Sequence, residues 1–250
     1  MNTNKNSYTF IYASVMVIIV AFLLAFVSSV LKPIQQQKED LDKKKQILSA
    51  LNVFAADSTE AMYDKYIKAE VLLDTFGNVL CDSGAFQVKS SNIGIKEGQQ
   101  LPLYICEKDG AKKFIIPLYG AGLWGPIWGY VALNDDKETI SGVYFSHSGE
   151  TPGLGAEITN REKFQKPFEG KKAIGADNKV IISVVKNGKV QNPDFEVDGI
   201  SGGTITSQGV DDMLKGCIGY YKAFLAQGVD TCSMVACDSV PATENQVVNQ

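Results

Sequence analysis

Residues Tyr8 to Leu31 are 24 consecutive positions without a charge, dense in Ile, Val, Leu, Phe and Ala and closed by Lys32-Pro33. As a helix rising 1.5 Å per residue the run is about 36 Å long, enough to cross a hydrocarbon core of roughly 30 Å with some tilt. Val27-Ser28-Ser29 has the small residues of a secretory cleavage site. The apolar run nevertheless exceeds the roughly 7–15 residues of a signal core. The expectation is an uncleaved anchor, with residues 1–33 forming a short cytoplasmic stub and one membrane span. Lys5 precedes the span, whereas Lys32, Lys38 and Lys43, Lys44 and Lys45 follow it. A literal positive-inside count therefore puts the rest of the chain in the cytoplasm.

Beyond the anchor, Leu41, Ile47, Leu48 and Leu51 fall at roughly helical spacing within Ile34 to Phe54. That pattern predicts a juxtamembrane stalk helix over residues 34–56. Asp57-Ser58-Thr59-Glu60 then carries the signals that open a second helix, reaching to Ala69. The pattern next changes period. Segments near Glu70–Phe76, Leu101–Glu107, Lys113–Leu118, Gly125–Leu133 and Thr139–His147 are short, β-branched and aromatic, and separated by Gly, Asp and Asn. Ile181–Lys186, bounded by Asn187-Gly188, reads as one more strand at a hairpin.

Val210, Met213, Leu214, Cys217, Ile218, Tyr221, Phe224 and Leu225 trace one face of a closing helix. Strands first and a long helix last give an α+β fold with an antiparallel sheet and flanking helices over residues 57–237. No Gly-x-Gly-x-x-Gly opens a helix after a first strand, so a Rossmann site has no support. Residues 238–250 are polar and aperiodic and read as a disordered tail.

The net charge of -4 offers no nucleic-acid footprint. Arg161 and His147 are the sole arginine and histidine, which argues against a bidentate Arg clamp and a His-rich metal site. The five cysteines form no Cys-x-x-Cys, and spacing leaves open whether Cys232 and Cys237 pair.

Three glycine-containing stretches carry the candidate chemistry. Asp198-Gly-Ile-Ser-Gly-Gly-Thr-Ile-Thr-Ser207 places glycines and hydroxyls before the closing helix, where free N–H groups and the macrodipole favour an anion. The alternative is that Thr206 or Ser207 is only the helix N-cap, with Asp211 and Asp212 in the first turn. Tyr119-Gly-Ala-Gly-Leu-Trp124-Gly-Pro126 and His147-Ser-Gly-Glu150-Thr151-Pro-Gly-Leu154-Gly155 are the other two. Taken singly, the first is a turn ending in a core Trp and the second an ordinary loop.

Together, following one another along the chain as the Trp124 loop, the Glu150 loop and the 198–207 stretch behind a single span, they resemble the covalent FMN-binding domain family. Within it, the match to the C subunits of sodium-translocating NADH:quinone oxidoreductases extends through Ala156–Asn160 and Phe168–Lys171 and covers most of the chain. The G subunit of Rnf complexes is the related alternative. A non-redox anchored binding module is another, and a free-standing flavin reductase lacks a recognisable nicotinamide site.

The resemblance implies FMN joined by a phosphoester to Thr206, within a motif that also contains Ser201, Gly202, Gly203 and Thr204; the family more often has Ala at Gly203. It implies Trp124, Glu150, Thr151 and Leu154 as flavin-ring contacts, with Lys186 a weaker candidate. It further implies no catalytic residue or metal site of the chain's own, the A, B, D, E and F subunits as partners, and a separate flavin transferase using FAD. Contrary to the charge count, it places the domain on the periplasmic side of a bacterial inner membrane.

Overall fold

The computed structural model describes residues 6–54, 58–93 and 100–227, and the chain forms two compact units, Met1–Lys44 and Lys45–Gln250. Helix α1 (Asn6–Ala50) runs unbroken through Pro33, where a boundary between span and stalk was expected. Its most apolar 18-residue window has a mean hydropathy of 2.9 and none of it is buried. Helical hydrogen bonding satisfies the backbone internally while the uncovered apolar side chains suit lipid.

The second unit begins with the last residues of α1. Helix α2 (Thr59–Tyr66) follows, shorter than expected because Ile67 already has extended geometry (φ -84°, ψ 120°). The main sheet contains β1 (Ile67–Leu73), β2 (Val79–Cys81), β3 (Leu101–Lys108), β4 (Ala111–Ala121), β5 (Pro126–Leu133) and β6 (Ile140–His147). Its order is β2-β1-β3-β4-β5-β6, with every neighbouring pair antiparallel. Within this sheet, only the three-residue edge strand β2 had no counterpart in the sequence pattern.

Period-two alternation sends side chains to two cores. Leu103, Phe114, Ile116, Leu118, Val131 and Phe145 join Val210, Met213, Leu214 and Ile218 of helix α3 (Thr204–Tyr220). Tyr104, Ile115, Tyr130 and Ala132 meet Ile47, Leu48, Leu51 and Tyr63 on the other face. Both faces of β4 are therefore covered, which explains its continuous apolar stretch.

The expected hairpin after Lys186 is overturned. Strands β7 (Ser183–Val185) and β8 (Glu196–Asp198) pair in parallel, so the Asn187-Gly188 turn starts a return loop instead. Side chains pin that loop: Gly188 N–H donates to Asp198 Oδ1 at 2.8 Å, and Asn192 N–H to Glu196 Oε2 at 2.9 Å. Asp211 ties α3 to β7 by accepting from Val184 N–H at 2.8 Å, Ser183 Oγ at 2.9 Å and Lys215 Nζ at 2.7 Å. The predicted helical face continues through Tyr221 into α4 (Lys222–Ala226).

Cys81 is disulfide-bonded, while Cys106 and Cys217 are buried free thiols. Cys232, Cys237 and the tail from Asp238 lie outside the described residues.

Candidate functional site

The start of α3 differs from the sequence expectation in a way that bears on function. Its N-cap is Gly203, with no side-chain capping bond, and no acidic residue lies in the first turn. Thr206 and Ser207 sit inside that turn, and Asp211 and Asp212 farther along the helix. Ser207 Oγ accepts from Ile200 N–H at 2.8 Å, closing the preceding loop on itself. Thr206 is 1% exposed, and its hydroxyl donates to Glu150 Oε2 at 2.6 Å. Neither hydroxyl caps the helix.

Glu150 is itself only 5% exposed. Its Oε1 accepts from Trp124 N–H at 2.9 Å, and its own N–H donates to His147 Nδ1 at 3.1 Å. Desolvation raises the carboxyl's pKa. The Thr206 hydroxyl and the N–H groups of Trp124 and Leu123 outweigh it, and the net displacement is downward. One carboxylate thus joins the Trp124 loop, the Glu150 loop and α3.

Glycines permit that convergence. A Cβ on Gly122 would lie 2.5 Å from Glu150 Oε1, and one on Gly155 would strike both Glu150 Oε2 and Thr206 Oγ1. Gly202 combines a left-handed φ of 76° with a space where a Cβ would come within 2.6 Å of Leu154 Cδ2. The loops interlock because these positions lack side chains.

The same loops and the start of α3 expose apolar side chains. Trp124 is 69% exposed, contrary to the core Trp expected of an isolated turn, and Leu123, Leu154 and Ile205 are also exposed. Thr151, Ser201 and Thr204 are exposed as well, and the Thr151 carbonyl receives the N–H groups of Leu154 and Ala156. Lys186 is exposed just beyond β7, and the structure does not bring it into the Glu150–Thr206 hydrogen-bond network. His147 and Ser207 have positioning contacts that sequence reasoning missed. The nearest signal was His147's place three residues before Glu150.

A family model described as the FMN-binding domain matches residues 122–219, a span containing Glu150, Thr206 and most of all three loops. The C subunit of the Na(+)-translocating NADH-quinone reductase from Haemophilus ducreyi is 30% identical over 233 residues, covering 86% of this chain and 90% of that protein. The chain belongs to this C-subunit family.

The corresponding Pasteurella multocida subunit is also 30% identical, with coverages of 83% and 88%. The crystal structure of the Parabacteroides distasonis C subunit superposes with a TM-score of 0.73 at 43% identity, covering 79% of this chain and 98% of that one. Shewanella oneidensis NqrC, at 24% identity and a TM-score of 0.64, supports the fold alone.

The residues present suit FMN as the family's flavin. The start of α3 has no side-chain cap and no acidic side chain in its first turn, so its leading N–H groups and the helix dipole make favourable surroundings for phosphate. Trp124, Leu154 and Ile205 are exposed apolar side chains on the loops and helix that meet through Glu150 and Thr206, and apolar surface of this kind is what a planar ring requires.

Proposed function

We propose that FMN is attached to Thr206 by a phosphoester and that the chain relays electrons between redox centres of the sodium-pumping complex. The observation that carries this reading is the meeting of all three loops at a buried threonine hydroxyl that does not cap its helix. Bound FMN would supply the electron transfer. Thr206 provides the tether; Trp124, Leu154 and Ile205 hold the ring, with Thr151 at its edge. Glu150 and His147 fix the loops' relative positions. Lys186 lies near the opening of the motif because Gly199 N–H donates to the Val185 carbonyl at 2.7 Å. A positive charge there favours the more reduced, more negative state of the cofactor.

The proposed partners are the A, B, D, E and F subunits of the same complex. A flavin transferase is also needed, since a threonine hydroxyl is a weak nucleophile. The proposed location is the bacterial inner membrane, with α1 as a single span and the flavin domain on the periplasmic side. The bonded state of Cys81 supports that side, because disulfides persist in oxidising compartments.

Coexpression of the full chain with a flavin transferase tests attachment, using intact mass and flavin fluorescence on a denaturing gel. The expected result is one FMN adduct on the native chain and none on Thr206→Val. An adduct that survives that substitution refutes the assignment.

A further inference from the structure

We propose that Glu150 accepts the hydroxyl proton of Thr206 during attachment of the flavin phosphate. This role rests on the covalent reading above and adds a residue of this chain to the attachment chemistry. A threonine hydroxyl needs a proton acceptor within about 2.6–3.2 Å as its oxygen attacks phosphorus. Glu150 Oε2 is 2.6 Å from Thr206 Oγ1 and receives that proton in a hydrogen bond. The other carboxylate oxygen is fixed by Trp124 N–H at 2.9 Å, so the acceptor is held in position from the opposite side.

A purely structural role accounts less well for the arrangement. Burying a carboxylate carries a desolvation cost that a cation commonly offsets, yet no salt bridge holds this one among the described residues. Hydroxyl and backbone N–H donors keep it ionised, which is the state required to accept a proton. Its low basicity favours late transfer, when formation of the O–P bond has made the hydroxyl proton acidic.

FMN's phosphate monoester cannot condense with a hydroxyl without losing water, so the donor must carry an activated phosphate. With FAD as that donor, the Thr206 Oγ1–P bond forms and the pyrophosphate P–O bond breaks. AMP leaves, and the threonine proton passes to Glu150 Oε2. No electron is transferred. Protonation also removes an electrostatic conflict, because an ionised carboxylate beside Oγ1 would repel the newly attached phosphate. The neutral carboxyl can instead donate a hydrogen bond to it.

The test is a single-turnover time course with full-length apo protein, purified flavin transferase and FAD, followed by intact mass. Glu150→Gln should reduce the attachment rate by about 100-fold or more while preserving a cooperative thermal transition. Glu150→Asp retains the proton-accepting group at a shorter reach and should fall between native and Gln; it also provides a readout if the Gln variant does not fold. Attachment to both variants at the native rate overturns the role of Glu150 and leaves the covalent reading intact. Native protein that gains no adduct, or an adduct that survives Thr206→Val, overturns the covalent reading itself.

Discussion

Gly155→Ala probes the site without altering a functional group. Its Cβ would collide with Glu150 Oε2 and Thr206 Oγ1 and lie 3.1 Å from Thr206 Cβ. Both partners are buried, so neither can simply turn into solvent. Moving the backbone away represents overpacking at about 1–3 kcal/mol. Opening the Thr206–Glu150 bond instead loses a hydrogen bond to a charged group, about 1.5–3 kcal/mol. These are alternative responses, so the smaller cost sets the loss. Gly155 is outside the left-handed region, and replacing Gly with Ala there recovers about 0.4–1 kcal/mol through the unfolded state. Taking the middle of each range, about 2 less about 0.7, the net expectation is a loss of about 1.3 kcal/mol, or roughly 3–5 °C in melting temperature for a domain of this size. Thermal unfolding of full-length apo protein in detergent measures it, with Gly149→Ala as the control because its Cβ meets nothing within 4 Å. Flavin attachment should fall in Gly155→Ala and persist in Gly149→Ala. Equal melting temperatures and equal attachment in the two variants would refute the proposed close approach.

Tyr221→Phe removes a buried hydroxyl that donates to the Pro102 carbonyl at 2.7 Å, and should cost about 1–3 kcal/mol in denaturant unfolding with little change in attachment. The lowered folded-state pKa of Glu150 means that its contribution to stability is present above the unfolded carboxylate value, about 4.3, and lost as pH falls through the folded value. A melting series from neutral pH to about pH 3 should therefore show a shallower acid decline in Glu150→Gln than in native apo protein. Burial pushes the Cys106 thiol up to about 12 and raises that of Cys217. Alkylation of folded protein near neutral pH should miss both; unfolding should expose them, whereas Cys81 should require reduction first.

The sheet was legible where period and burial agreed. β3 to β6 alternate between two covered faces, and their apolar residues marked strands without tertiary information. The parallel β7–β8 pair was not legible. Asn187-Gly188 is a strong local hairpin signal, but Asp198 and Glu196 hold the return loop through contacts supplied by the later strand. A local turn rule cannot weigh those contacts. The continuous α1 likewise required knowledge that the helix passes through Pro33 without stopping.

At the site, motif order identified the three loops, whereas spacing alone assigned the wrong work to their hydroxyls. Thr206 and Ser207 looked like caps because a Ser or Thr before a helical pattern commonly caps it. Gly203 takes that position because Ser207 is engaged by Ile200 and Thr206 by Glu150, 56 residues away in sequence. The exposure of Trp124 follows from the same packing: its backbone N–H serves Glu150 while its ring remains outside the core. Local pattern thus locates the loops, while the long-range hydrogen bond distinguishes a helix cap from a hydroxyl placed against a proton acceptor. That distinction is what the proposed covalent attachment rests on, and it ties that proposal to the measurable coupling between Thr206 and Glu150.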